Sequence, residues 1–248
     1  MNKSKKSRKA GFTLAEVLIT LGIIGVVAAL TLPTLIKNYQ KQVWVNQLKK
    51  AYSTLNNGFK QIVAEEGCTS LACYSPSSAN INDCLDFSNK KTVEKIVSTF
   101  KLTNVEATYY IDSIYNYKCY NLSGIFTGTP FEPNSSNIVG TTPDGMILAI
   151  SDCPTSIMVD LNGLKAPNTY GRDIFGFYFF DSNDSVIVAP WGSIQGTKYI
   201  SDHITGAPLP SQEELINNIN KSCSTDKNVG GGDSCAAKII MDGWKMDY

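Results

Sequence analysis

Asp160-Leu161-Asn162-Gly163, followed by Pro167-Asn168 and Gly171-Arg172-Asp173, is the constellation in this 248-residue chain whose hard oxygen donors could carry chemistry. Asp160 and Asn162 at alternate positions, with Asp173 further on, suit calcium, which takes about six to eight oxygens. The pattern is not an EF-hand, because glycine stands at the fourth place and no distal glutamate follows. The same residues also suit Asx turns between two strands, in which a side-chain oxygen accepts a nearby backbone N–H. Both readings stay open on sequence alone. Other chemistry finds little support. There is no HExxH, no GxSxG and no phosphate-cradling glycine loop, and a single histidine, His203 in Ser201-Asp202-His203-Ile204, leaves no second one to complete a Cys/His pair. Seven cysteines without paired CxxC spacing, beside one histidine, argue against zinc. The chain reads as a protein without enzymatic activity.

The elements that must position these residues begin with a membrane segment. Phe12–Leu32 carries Glu16 as its only charge, and at ~1.5 Å per residue it reaches ~30 Å, the thickness of a hydrocarbon core. Lys3, Lys5, Lys6, Arg8 and Lys9 precede it, and such an excess of basic residues holds that flank in the cytoplasm. A secretory signal would place small residues after its apolar run, whereas Ala10 and Gly11 come before this one. The rest of the chain is therefore expected outside a single-pass anchor, in the periplasm or at the cell surface, with membrane lipid around the helix. Of 22 basic side chains five lie in residues 1–11, leaving 17 against 22 acidic ones from Phe12 on, a net −5. That balance argues against a general nucleic-acid surface. The lysines at 37, 41, 49, 50 and 60 read as the solvated face of a helix.

Gly11-Phe12-Thr13-Leu14-Ala15-Glu16 resembles the leader junction of type IV pilins and type II secretion pseudopilins. The resemblance implies cleavage after Gly11 by a prepilin peptidase, N-methylation of the new terminus at Phe12, and retention of the apolar helix. Counted from Phe12, Glu16 is the fifth mature residue and Pro33 the twenty-second, as the family pattern has them. It further implies other pilin or pseudopilin subunits as partners, an inner-membrane platform protein and, through it, an assembly ATPase. In such a filament Glu16 meets the amino terminus of a neighbouring subunit. Thr13-Leu14-Ala15-Glu16 equally fits a capping box at a helix start, and the two roles are compatible. Some pseudopilins bind calcium in a C-terminal loop, but the resemblance does not fix Asp160, Asn162 or Asp173 as ligands.

Beyond Leu32 an apolar stripe continues through Leu35, Ile36, Tyr39, Val43, Leu48, Tyr52, Leu55, Phe59, Ile62 and Val63 at helical spacing. One helix from Phe12 to about Glu66 is expected. Pro33 either bends or opens it near Leu30–Pro33 or simply marks the exit from the membrane. The chain thus divides into a basic leader (1–11), an apolar helix (12–32), its amphipathic continuation (33–66) and an exported α+β domain (67–248). Cysteines outside the membrane are expected as disulfides. Cys68/Cys73 and Cys223/Cys235 are local candidates, the latter similar to the disulfide-bounded terminal loop of many pilins. The odd count leaves at least one thiol or an intermolecular bridge.

In the domain, Thr92–Phe100 reads as a short helix, and Tyr74–Asp83 and Thr127–Pro143 as loops. Met146–Ser151, Ile157–Leu161, Ile174–Phe180 and Val186–Ala189, separated by turn signals, read as an antiparallel meander. Ser211–Asn220 opens with a capping box, and part of Ser234–Met241 is helical. A long helix on such a sheet is the α+β pilin-like roll, one sheet face covering the stripe from Leu35 to Val63. Two functions follow as expectations. One is a structural subunit, pseudopilin or minor pilin, of a secretion or pilus filament. The other is a membrane-anchored exported module that binds a ligand without polymerising, with Tyr109, Tyr110, Tyr115, Tyr117 and Tyr120 as contacts or, alternatively, as a strand or interface edge.

Overall fold

The computed structural model describes residues 11–65, 67, 71, 85–107, 118–128, 137–152, 155–182, 185–226, 228–229 and 231–248. Two compact units divide at Lys41/Gln42. Helix α1 spans Leu14–Glu65 and stays helical through Pro33. In the first unit the apolar side chains of α1 are exposed, among them Leu18, Ile24, Leu30 and Leu35.

From Gln42 on, α1 has a covered face: Val45, Leu48, Ala51, Leu55, Phe59, Ile62 and Val63 are buried. The steps of three and four put these residues on one stripe. Val43 and Trp44 are half-buried, Trp44 packing against the core, and full burial starts at Val45. The expectation that the covering begins at Leu35 is therefore corrected, since Leu35, Ile36 and Tyr39 stay exposed.

The sheet under that face has six antiparallel strands: β1 Thr103–Ala107, β4 Asn137–Thr141, β5 Ile147–Ser151, β6 Ser156–Asp160, β7 Ile174–Ser182 and β8 Ser185–Pro190, in that order across the sheet. β5 to β8 are the expected meander within a residue or two at each end. β4 corrects the loop reading of Thr127–Pro143. Its Ser/Asn/Pro surroundings hide a short buried run, Ile138-Val139, which earns a strand through pairing with β5 rather than through local pattern. A two-stranded hairpin, β2 Cys119–Tyr120 with β3 Phe126–Gly128, forms a second small sheet tied to the 168–170 loop, since Tyr120 N–H donates to the Asn168 carbonyl at 3.0 Å and its carbonyl accepts the Tyr170 N–H at 2.9 Å.

Both faces of the sheet are covered. Ile138, Leu148, Ile150, Ile157, Val159, Phe175, Phe177 and Phe179 join α1 in the main core. Phe59 stacks on Phe179 with ring centres 4.1 Å apart, and Tyr52 lies 5.9 Å from Phe177. Val139, Ile147, Ala149, Met158 and Ile174 project the other way, against Cys119, Tyr170 and Trp191. That two-sided burial explains why these strands read as unbroken apolar runs rather than alternations.

Helix α2, Lys90–Phe100, is capped by Asn89 and crosses α1 at Gly58, where a Cβ would lie 2.3 Å from the Phe100 ring. Lys95 of α2 pairs with Glu65 at the end of α1 and holds that carboxyl below its usual range. Helix α3, Ile194–Ile200, runs into a π-helical turn at Ser201–Thr205 that contains His203. Helix α4, Gln212–Ser222, starts with the expected capping box of Ser211 and Glu214, and α5 spans Cys235–Met241. The Cys223–Cys235 disulfide ties α4 to α5. Cys68, Cys73, Cys84 and Cys153, the stretch Tyr74–Asp83 and the tyrosines from 109 to 117 lie outside the described residues.

Candidate functional site

Two places hold the residues singled out by sequence. At the start of α1, Glu16 Oε2 accepts the backbone N–H of Thr13 and its hydroxyl, both at 2.8 Å, and the Glu16 N–H returns a bond to Thr13 Oγ1 at 3.2 Å. This reciprocal arrangement is a capping box, satisfying amides that a helix start leaves open. It engages one carboxylate oxygen. A carboxylate within an apolar, membrane-length stretch generally finds a partner and marks function. Gly11 and Phe12 precede the helix in an exposed, non-helical segment, with Phe12 90% exposed.

The second place is the turn between β6 and β7. Asp160 ends β6 opposite Ile147 and Ile174, so the sheet itself delivers it next to Asp173, which immediately precedes β7. Leu161 N–H donates to the Asp173 carbonyl at 2.8 Å and closes the loop. Asp160 Oδ1 accepts the N–H of Asn162 at 3.0 Å, which is an Asx turn. Asp173, fully buried, accepts three donors: Thr169 N–H at 2.6 Å, Asn168 N–H at 3.0 Å and Asn162 Nδ2 at 3.1 Å. Burial pushes the Asp173 carboxyl up, against the opposing pull of those N–H donors.

Asp160, Asn162 and Asp173 are thus brought together, wired as a hydrogen-bonded brace. Asn162 and Asn168 each keep a buried Oδ1 without a partner, so oxygen of the type a hard cation prefers is present beside the two carboxylates. Asn168 was not among the sequence candidates. Its backbone N–H is the group that matters, and an amide present in every non-proline residue carries no sequence signal. Below the turn, Gly171 has a left-handed backbone, and a Cβ there would lie 2.7 Å from Cys235 Sγ. Tyr248 donates from its hydroxyl to the Gly171 carbonyl at 2.6 Å. The α4–α5 disulfide and the C-terminal residue therefore both press on the loop that holds Asp173.

The family model described as the prokaryotic N-terminal methylation motif matches residues 6–32, the type IV pilin and pseudopilin signature. No curated protein and no solved structure matches the chain. The motif supports a type IV pilin-like or pseudopilin substrate of prepilin peptidase, and implies that enzyme and other pilin subunits as partners. The family that carries it is structural rather than catalytic. With α1 long and apolar enough to cross a membrane, it also fits a membrane-anchored single-pass protein. The α+β arrangement of long helix and antiparallel sheet is pilin-like.

Proposed function

We propose that this chain is a structural subunit, a pseudopilin or minor pilin, of a type II secretion or type IV pilus-like filament. The prepilin rests in the cytoplasmic membrane with its leader inside and its globular unit outside. Prepilin peptidase cuts after Gly11, Phe12 is methylated, and a platform protein driven by an assembly ATPase draws the subunit out. The observation that supports this best is the length of the uncovered apolar face. From Leu14 to Tyr39 at ~1.5 Å per residue it covers ~39 Å, more than the ~30 Å of a hydrocarbon core. The surplus past Pro33 suits packing against another helix of the same kind. Glu16, with one oxygen committed to its own cap, keeps Oε1 for the amino terminus of a neighbour. The rival reading, an anchored ligand-binding module, needs no such surplus.

Glu16→Leu tests the assembly step. Processing at Gly11 is expected to continue while cross-links between copies through α1 are lost. Undiminished copy-to-copy cross-linking in that variant would remove Glu16 from assembly.

A further inference from the structure

A cavity of about 350 Å³ opens beside α1, bounded by the end of β8, the start of α3, and α4 and α5. Tyr52, Pro190, Ile194, Ile219, Ile240 and Met241 form most of its wall, Ser193 and Gln195 are its polar members, and among the described residues no charged side chain lines it. The Ser193 hydroxyl is already used by the fold, donating to the Pro190 carbonyl at 2.7 Å and accepting the Gly196 N–H at 3.1 Å. Ile194 and Met241 are 60% and 45% exposed, so the apolar wall runs out to the surface. The volume lies within the ~300–1,000 Å³ typical of binding sites. Its chemistry suits an uncharged, apolar group.

The β2–β3 hairpin presents such a group. Ile125 and Phe126 at its tip are 51% and 54% exposed, and no charged residue lies between Cys119 and Gly128. The tip is held in shape. Asn121 N–H donates to the Ile125 carbonyl at 2.9 Å, Ile125 N–H donates to Asn121 Oδ1 at 2.8 Å, and Gly124 N–H donates to the Asn121 carbonyl at 2.9 Å. The Phe126 ring sits edge-on to Tyr120 with centres 6.0 Å apart. An aromatic anchor already fixed in position loses little freedom on docking. Neither surface has a charge that must be stripped of water. Phe126 remains exposed, so it does not fill the cavity of its own chain.

Resting on the filament reading, we infer that Ile125 and Phe126 of one copy seat in the Tyr52, Ile194 and Met241 cavity of the next. Knob and cavity are different surfaces, so the contact is heterologous and repeats from copy to copy. Such a contact builds an open helical array unless its rotation closes a ring, whereas a self-complementary patch stops at two. It would be a second joint between copies, made by the globular units and distinct from the helix packing.

Photo-cross-linking in source-cell membranes tests it, using the full-length chain with p-benzoylphenylalanine in place of Phe126. A parallel chain carrying the same probe in place of Ile24 reports contact through α1. The expected result is a copy-to-copy adduct from position 126 that maps to Ile194, Ile240 or Met241 and falls about tenfold with Met241→Lys. An adduct mapping elsewhere, one with a different protein, or none at all, while position 24 still links copies, overturns the seating and leaves the filament reading standing. Adducts at position 24 with other pilin subunits but never with a copy overturn the seating alone, and no adduct with any pilin subunit at either position overturns the filament reading and the seating with it.

Discussion

Asp173→Asn swaps one acceptor oxygen for an NH2 group inside a ring of donors. If the remaining oxygen keeps the Thr169 N–H, now at 2.6 Å, the new amide faces Asn168 N–H and Asn162 Nδ2, which Oδ2 accepts at 3.0 and 3.1 Å in the native chain. Asn162 can turn its amide and offer the Oδ1 that has no partner, repairing one of the two mismatches. The Asn168 N–H cannot turn, and a buried donor left unsatisfied costs ~1–3 kcal/mol. Removing a buried charge offsets part of that, because burial has pushed the Asp173 carboxyl up. The net loss near neutral pH is then ~1–2 kcal/mol, and at ~2–4 °C per kcal/mol for a domain of this size Tm falls by ~2–8 °C. Asp173→Ala strands all three donors and costs more, ~3–5 kcal/mol. Thermal unfolding of the full chain in detergent, followed by circular dichroism, measures both. The pH dependence has a definite sign. A carboxyl whose folded value is raised contributes stability fully present below the unfolded value of ~3.9 and lost as pH rises through the folded value. Asn does not titrate, so the gap between native and variant chains should narrow as pH rises. An Asp173→Asn chain as stable as the native one would refute the brace, whereas a gap that widens with pH would show that the three N–H donors outweigh burial in setting the carboxyl.

Replacing Cys223 and Cys235 together by serine releases a loop closed across 12 residues, and should cost ~3 kcal/mol, read from the urea midpoint under oxidising conditions. A loss below ~1 kcal/mol would mean that packing alone holds α4 against α5. Calcium added to the purified chain is expected to leave Tm unchanged, because Asp173 is already satisfied by three N–H donors. A saturable rise in Tm, lost in Asp160→Asn, would instead make Asp160, Asn162 and Asp173 a cation site.

The parts of the molecule that were legible from the chain are those whose signal is local and periodic. The α1 stripe, the Ser211 and Glu214 cap and the β5–β8 runs flanked by turn residues all declare themselves within a dozen residues. The N-terminal motif was legible because leader, junction and apolar helix are contiguous. β1, β3, β4 and α3 carry no such local signal, and the loop reading of Thr127–Pro143 overlaps both β3 and β4. Thr103–Ala107 and Asn137–Thr141 are short, and they become strands by pairing with each other and with β5, a tertiary cause that no window along the chain contains. The uncovered stretch Leu35–Tyr39 was misjudged for a related reason: a helical stripe shows that a face will be covered but not by what. Asp160 and Asp173 were picked out by residue type, yet the three donors that converge on Asp173 depend on how the 160–173 loop folds back.

The intact mass and N-terminal sequence of the chain, taken from membranes that contain a matching prepilin peptidase and compared with a Gly11 substitution, test the pilin-pathway reading most directly. A chain beginning at methylated Phe12, with the leader retained in the Gly11 variant, is the expected result. A native chain that keeps its leader, or one cut after the apolar run ending at Leu32, would contradict it and favour an anchored or secreted binding protein.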